Sequence, residues 1–215
     1  MNQYKLYIFD WDGTLMNSID KIVHSLQAAA VKSELPLPTD AQAKGIIGAS
    51  LTAAAQILWP GIKQDKVDLM IKHYKLEYLT LNTTPSPLYS NSLHLLNSLN
   101  SQDKLLAVAT GKGRQGLDHV LDISNTRHLF HSTRSSDDAQ SKPHPDMLEQ
   151  ILLELNINAS EALMIGDSHY DLQMAKNANI ASIGITHGAG KQDSFAIHQP
   201  KAIVHSIDEL AQLIV

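Results

Sequence analysis

A chain of 215 residues with 43% apolar content can bury one α/β core with an insertion, or two small domains, without disulfides or structural metals. It contains no cysteine, which excludes disulfides, thiolate metal sites and cysteine nucleophiles and fits a reducing compartment. The formal net charge of −5 leaves no basic stripe for nucleic acid, no apolar stretch approaches membrane-span length, and Met1–Lys5 lead straight into an apolar run, so a cytoplasmic protein without nucleic-acid or membrane partners is expected.

The first predicted element is a strand over 4–9, whose apolar run Leu6, Tyr7, Ile8 and Phe9 ends abruptly in Asp10-Trp11-Asp12-Gly13. Alternate residues of an extended chain point to opposite sides, so Asp10 and Asp12 converge only if the chain turns sharply, and Gly13 permits such a turn. Taken alone, this tetrapeptide also reads as a solvated turn. Helical spacing follows over 17–33, 39–58 and 63–81, for example Ile19, Ile22, Val23 and Leu26, punctuated by Gly48 and Pro60-Gly61. The next strand comes only at 105–110, a separation far larger than one crossover helix needs. Residues 16–83 are therefore read as an inserted all-helical cap domain, hinged at Met16–Ser18 and Thr83–Pro87, with 1–15 and 84–215 forming the core domain.

Beyond the insertion, helices at 91–100, 113–123, 145–155, 169–179 and 207–214 alternate with strands at 105–110, 129–133, 162–166, 181–186 and 201–204. This order predicts an α/β fold with a parallel sheet covered by helices. Two of those strands end in polar residues, Thr110-Gly111-Lys112 and Asp167-Ser168-His169-Tyr170-Asp171, and a polar loop carries Lys142-Pro143-His144-Pro145. His128 and His131 are close in sequence but have no carboxylate or cysteine nearby, and read as surface histidines.

Asp10-x-Asp12-Gly13, Thr110-Gly111, Lys142-Pro143 and Asp167…Asp171 occur in that order, three of them at strand ends. Together they resemble the four motifs of the haloacid dehalogenase superfamily, in the branch that looks like phosphoglycolate phosphatases. The motifs span 10–171, and the strand–helix framework extends the likeness over nearly the whole chain. The resemblance implies a Rossmann-like core, helices on both faces of a twisted parallel sheet, and the Asp10 strand in the middle.

It also implies a chemistry that suits the residues. Phosphate monoesters are slow to hydrolyse in water, so an enzyme must supply a nucleophile, charge neutralisation and a proton for the leaving group. Asp10 is the candidate nucleophile, forming an aspartyl-phosphate. Asp12 would protonate the leaving oxygen and then activate water, while its backbone carbonyl binds the metal, as the resemblance implies. Mg²⁺ is the expected ion because it prefers hard oxygens and uses one or two carboxylates with substrate phosphate; Asp10 and Asp167 would supply them. Asp171, one helical turn on, would orient Asp167 or a metal-bound water without touching the ion. Thr110 and the Gly111 amide fit a phosphate-oxygen site, and Lys142 would neutralise charge between nucleophile and phosphoryl group.

Some positions depart from the family pattern. Gly111 stands where many relatives have Asn, Ser90-Asn91 where they often have Pro-Gly, and Ala178-Asn179 where they often have Ala-Gly. Lys112 and Arg114 are read as surface residues at a helix start, with cations at the rim of the substrate site as the alternative; Lys44 and Gly48 lie where relatives place specificity residues. A small phosphorylated metabolite is the expected substrate, with its identity and the oligomeric state open. A phosphosugar mutase would share every core residue named here. A catalytically silent binding relative would have lost Asp10, Asp12, Lys142 or Asp167, and all four are present. A dehalogenase fits less well, because it generally lacks the second aspartate.

Overall fold

The structure is a computed structural model that describes residues 4–190 and 192–215. Met1, Asn2 and Gln3, read above as leading into the first strand, lie outside the described residues. Among those described, six strands form one sheet: β1 (Leu6–Phe9), β2 (Leu105–Ala109), β3 (Ser132–Arg134), β4 (Ala162–Gly166), β5 (Ala181–Ile185) and β6 (Ala202–Val204). All pairs are parallel and the spatial order is β3-β2-β1-β4-β5-β6. The Asp10 strand thus lies inside the sheet, as expected.

A strand covered on both faces needs apolar residues at every position, and β1 is completely buried over Leu6-Tyr7-Ile8-Phe9. The alternation of the pleat divides them. Tyr7 and Phe9 join Leu106, Val108, Leu163 and Ile165 on one face. That face is covered by α5 (Ser92–Asn100), α6 (Arg114–Ile123) and α10 (Ile207–Ile214) through Leu96, Leu117 and Leu210 among others. Leu6 and Ile8 join Ala107 and Met164 on the other, under α7 (Asp146–Leu155) and α8 (His169–Asn177) through Met147, Ile151 and Met174.

The register brings the active ends of three strands level. Phe9 pairs with Val108 on one side and with Ile165 on the other, so Asp10, Thr110 and Asp167 all emerge at the same edge. The chain builds β2 and β3 to one side of β1, then returns to build β4, β5 and β6 on the other. The carboxyl end of β1 is therefore the switch point where open α/β sheets bind ligands.

Between β1 and α5 the chain forms α1 (Ile19–Lys32), α2 (Asp40–Gly45), α3 (Leu51–Leu58) and α4 (Gln64–Leu76), the last running into a π-helical turn at Glu77–Leu81. The run read over 39–58 is two helices. Gly48, at φ +101°, lies in the break, and the oxygens of Thr39 and Ser50 cap the two N-termini. The segments leading out and back run side by side, with Asn17 N–H donating to Pro87 O at 2.8 Å and Tyr89 N–H to Leu15 O at 2.9 Å.

One strand boundary needs correction and one short helix was not anticipated. The strand read over 129–133 begins only at Ser132, because Arg127–Leu129 form a 3₁₀ turn and Phe130 packs edge-on against Trp11. The short helix α9 (Gln192–Ala196) had no helical signature, since five residues cannot display a period. Asn91 and Asn179 adopt left-handed conformations at φ 65° and 56°, which explains how they stand in for glycine. Among the described residues no helix is long and apolar enough to cross a membrane.

Candidate functional site

Asp10 leaves β1 with its amide donating to Ile165 O at 2.9 Å, which fixes it beside β4. The chain then turns: Leu15 and Met16 amides both donate to Trp11 O, and Gly13 sits at φ +83°. A side chain at Gly13 would fall 2.2 Å from Asp167 Oδ2, so glycine is required both for the turn and for its approach to the third carboxylate. Beyond this turn, Asp10 and Asp12 line one cavity.

Asp10 is 1% exposed. Its Oδ1 accepts from Lys142 Nζ at 2.6 Å, while its Oδ2 is buried without any hydrogen-bond partner. Asp167 accepts from Thr14 Oγ1 at 3.2 Å and from the Ala189 amide at 2.7 Å. Asp171 has no free oxygen: Oδ1 accepts from Lys142 Nζ at 2.6 Å, and Oδ2 from the Ser168 amide and hydroxyl at 3.0 and 2.6 Å. Oxygens of Asp10, Asp167 and Asp171 approach within 4.8 Å of one another. Asp171 nevertheless acts as an anchor for Lys142 and Ser168, since both its oxygens are taken.

Electrostatics follow from this crowding. Burial pushes Asp10 up to about 7, with Lys142 opposing the rise and Asp171 adding to it. Burial, then repulsion from Asp10 and Asp171, hold Asp167 well above the ordinary carboxylate range. Burial alone would discharge Lys142, but Asp10 and Asp171 outweigh it and keep the ammonium charged. The four buried carboxylates Asp10, Asp12, Asp167 and Asp171 face two buried cations, Lys142 and Lys112. An orphaned carboxylate oxygen among buried carboxylates whose ionisation is opposed by burial and mutual repulsion, in an all-oxygen donor set, suits a hard divalent cation.

Thr110 is buried at the end of β2, its amide donating to Arg134 O at 3.0 Å and its hydroxyl accepting from the Lys112 amide at 3.2 Å. Gly111 explains its own departure from the family pattern. A Cβ there would lie 2.4 Å from Gly48 O and 2.8 Å from Ala49 O, so the loop between α2 and α3 rests directly on it. A Cβ at Gly48 would in turn lie 2.7 Å from Ser168 Oγ and 3.4 Å from the Tyr170 ring. The helical insertion thus forms a roof over the strand ends, and Asp10, Asp12, Thr110, Lys112, Ile47 and Tyr78 line the cavity beneath it.

Lys112, read from sequence as a surface residue, is buried in this site. Its side chain is 7% exposed, Nζ lies 3.0 Å from Asp12 Oδ2 and 4.1 Å from the centre of the Tyr78 ring. Asp12 also accepts from Ser18 Oγ at 2.7 Å, on the outgoing hinge. Nothing in the local sequence marks Lys112, because its burial depends on Tyr78 folding back from the far end of the insertion. Arg114 does lie outside the site, bound to Asp118, Asp138 and Thr133. Lys44 is half-exposed and stands 3.7 Å from Asp20. His131 accepts from the Leu106 amide at 3.2 Å and, among the described residues, belongs to no cluster of three metal-binding side chains. Two further positions went unread: Asp137 caps α6 by accepting from the Arg114 amide at 2.9 Å, and His187, stacked on Tyr89, lies 3.0 Å from Thr14 O under the aspartate loop.

Comparison with known proteins agrees with this geometry. The family model for haloacid dehalogenase-like hydrolases matches residues 7–185. A probable phosphatase, IndB, from Dickeya dadantii is 30% identical over 209 residues, covering 95% of this chain and 91% of that protein. A phosphoglycolate phosphatase from Mannheimia succiniciproducens is 27% identical over 222 residues, covering 99% of each. Among solved structures, a hydrolase from Pseudomonas syringae superposes with a TM-score of 0.89 at 20% identity, over 98% of this chain and 97% of that one.

Proposed function

Because the chain belongs to the haloacid dehalogenase-like hydrolases, we propose that it is a Mg²⁺-dependent phosphatase acting on a small phosphorylated metabolite, as its phosphoglycolate phosphatase relatives suggest. The observation that carries this reading is the state of Asp10. One oxygen is tied to Lys142 and the other, unpartnered, sits level with Thr110 and Asp167 at the switch point of the sheet.

Asp10 is the nucleophile, attacking phosphorus to form an aspartyl-phosphate. Lys142 draws charge from the attacked phosphoryl group, and Thr110 with the Gly111 amide holds its oxygens. Asp12 gives a proton to the leaving oxygen and then takes one from the water that cleaves the intermediate. Asp10, Asp167 and the backbone carbonyl of Asp12 would hold Mg²⁺, which supplies positive charge to the transferring phosphoryl group. Asp171 positions Lys142 and the Ser168 turn through the bonds described above. Residues 16–83 are the cap, closing on the core (1–15 and 84–215) to exclude water and select the substrate.

The test is release of free phosphate from a panel of phosphorylated metabolites in the presence of Mg²⁺. Turnover that ceases in chelator and in Asp10→Asn supports the proposal. Recovery of an isomeric phosphate ester in place of free phosphate would make the enzyme a mutase, and full turnover in Asp10→Asn would overturn the assignment.

A further inference from the structure

Asp167 is held by donors from two distant parts of the chain. Thr14 Oγ1 donates to its Oδ1 at 3.2 Å, and the Ala189 amide donates to its Oδ2 at 2.7 Å. One side chain ties these two donors together. His187, two residues before Ala189, lies with Nε2 3.0 Å from the carbonyl of Thr14. Burial pushes the ring below its ordinary pKa, so it is neutral at pH 7. A carbonyl only accepts, so the single ring proton sits on Nε2 and His187 is the donor.

The ring is backed by Tyr89, with the two centroids 3.8 Å apart, and Tyr89 Oη donates to His187 O at 3.2 Å. Tyr89 is itself fixed to the turn after β1, its amide donating to Leu15 O at 2.9 Å. The loop after β5 also passes close to Asp167. A Cβ at Gly188 would fall 2.1 Å from Asp167 Oδ2 and 2.4 Å from Gly13 O, so glycine lets the backbone through. Burial, then Asp10 and Asp171, disfavour the ionised form of Asp167, and the Ala189 amide opposes them. Donors on both oxygens thus favour the carboxylate and fix its direction.

Resting on the reading of Asp167 as a ligand of the divalent cation, we infer that His187 is a positioning residue for that metal site. Its ring joins the loop after β5 to the turn after β1, so the Thr14 hydroxyl and the Ala189 amide meet Asp167 from a fixed separation. His187 acts through Asp167 and not as a ligand itself. Tyr89 holds the ring in place from the segment that returns from the helical insertion.

Mn²⁺ takes the same hard oxygen ligands as Mg²⁺, and its binding can be followed by EPR without any substrate. His187→Phe keeps a ring against Tyr89 and removes the N–H donor. Groups that orient a metal ligand are worth about 10–100-fold in affinity, so Mn²⁺ should bind about 10-fold more weakly in this variant. His187→Gln again offers an N–H to the Thr14 carbonyl and should recover part of the loss. Gly188→Ala leaves His187 in place but displaces the loop from Asp167, and should also weaken binding. The wild type gives a check that depends on no variant folding: ¹⁵N NMR should show His187 as the Nε2–H tautomer, with signals that shift as Mg²⁺ is added. Unchanged Mn²⁺ affinity in His187→Phe and Gly188→Ala, with only a lower Tm, would make His187 a structural residue and overturn the inference. So would His187 signals indifferent to Mg²⁺ in a wild type that binds Mn²⁺. A wild type that binds neither ion would instead sink the metal reading of Asp167.

Discussion

Lys142 Nζ lies 2.6 Å from Oδ1 of Asp10, with neither side chain more than 1% exposed, so one oxygen of the central carboxylate is held while the other remains available. The same ammonium reaches Asp171 at 2.6 Å, which sets its direction from the first turn of α8. One buried cation thus orders Asp10, the loop after β4 and the start of α8.

Lys142→Met keeps most of the length of the side chain and removes its charge. It leaves Asp10 and Asp171 buried without their partner, and loss of one member of such a pair costs about 3–5 kcal/mol. Turnover should fall by about 10²–10³-fold, the scale for one electrostatic stabiliser of a transition state. Denaturant unfolding and initial rates check both. Unchanged stability would show that the ion pairs are not formed in solution.

Metal and pH should be linked. Burial raises Asp10 to about 7 and Asp167 well above its ordinary range, so without metal the folded chain holds protons that the unfolded chain releases above about pH 4. The folded state then binds more protons than the unfolded, and stability falls as pH rises through about 7. Mg²⁺ needs both groups as carboxylates and displaces those protons. The rise in Tm on adding Mg²⁺ should accordingly be larger near pH 8 than near pH 5. Equal rises at both would argue against a metal site at these two residues.

Gly111→Asn restores the side chain common among relatives, but its Cβ would fall 2.4 Å from Gly48 O. The loop of the cap must then lift from the strand ends. Because misplacement of about 1 Å near a site costs up to about 10²-fold, kcat/KM for the metabolite should drop by 10-fold or more, roughly. Turnover of p-nitrophenyl phosphate, which asks less of the cap, should drop less. An equal fall for both substrates would show that Gly111 serves the phosphate site alone.

How much of this was legible in sequence depended on where each residue sits. Asp10, Thr110 and Asp167 were readable because each ends a buried strand, where an uninterrupted apolar run announces the element before it. Lys142 and Asp171 were readable by their order between those ends. Lys112 was not, although it adjoins Thr110, because its burial comes from Tyr78 and Ile47 in the cap. Gly111 was seen as a departure without a cause, since the carbonyls that fill its side-chain space belong to Gly48 and Ala49. Apolar letters misled at 129–133, where Leu129 and Phe130 serve packing under Trp11 and not the ladder. Local pattern therefore located the residues at the strand ends, whereas contacts between the helical insertion and those ends, invisible to periodicity, hold what surrounds them.

The two aspartates of the first turn carry the central claim, and rapid-quench labelling separates them most directly. Asp10→Asn removes the attacking carboxylate. Asp12→Asn leaves it in place and removes the group that protonates the leaving oxygen and later activates water, help worth about 10²–10⁴-fold per step. With a phosphate ester whose leaving group needs little protonation, phosphoryl label should accumulate on Asp10 in Asp12→Asn, and none should appear in Asp10→Asn. Label on any other residue, or near-normal turnover by Asp10→Asn, would contradict it.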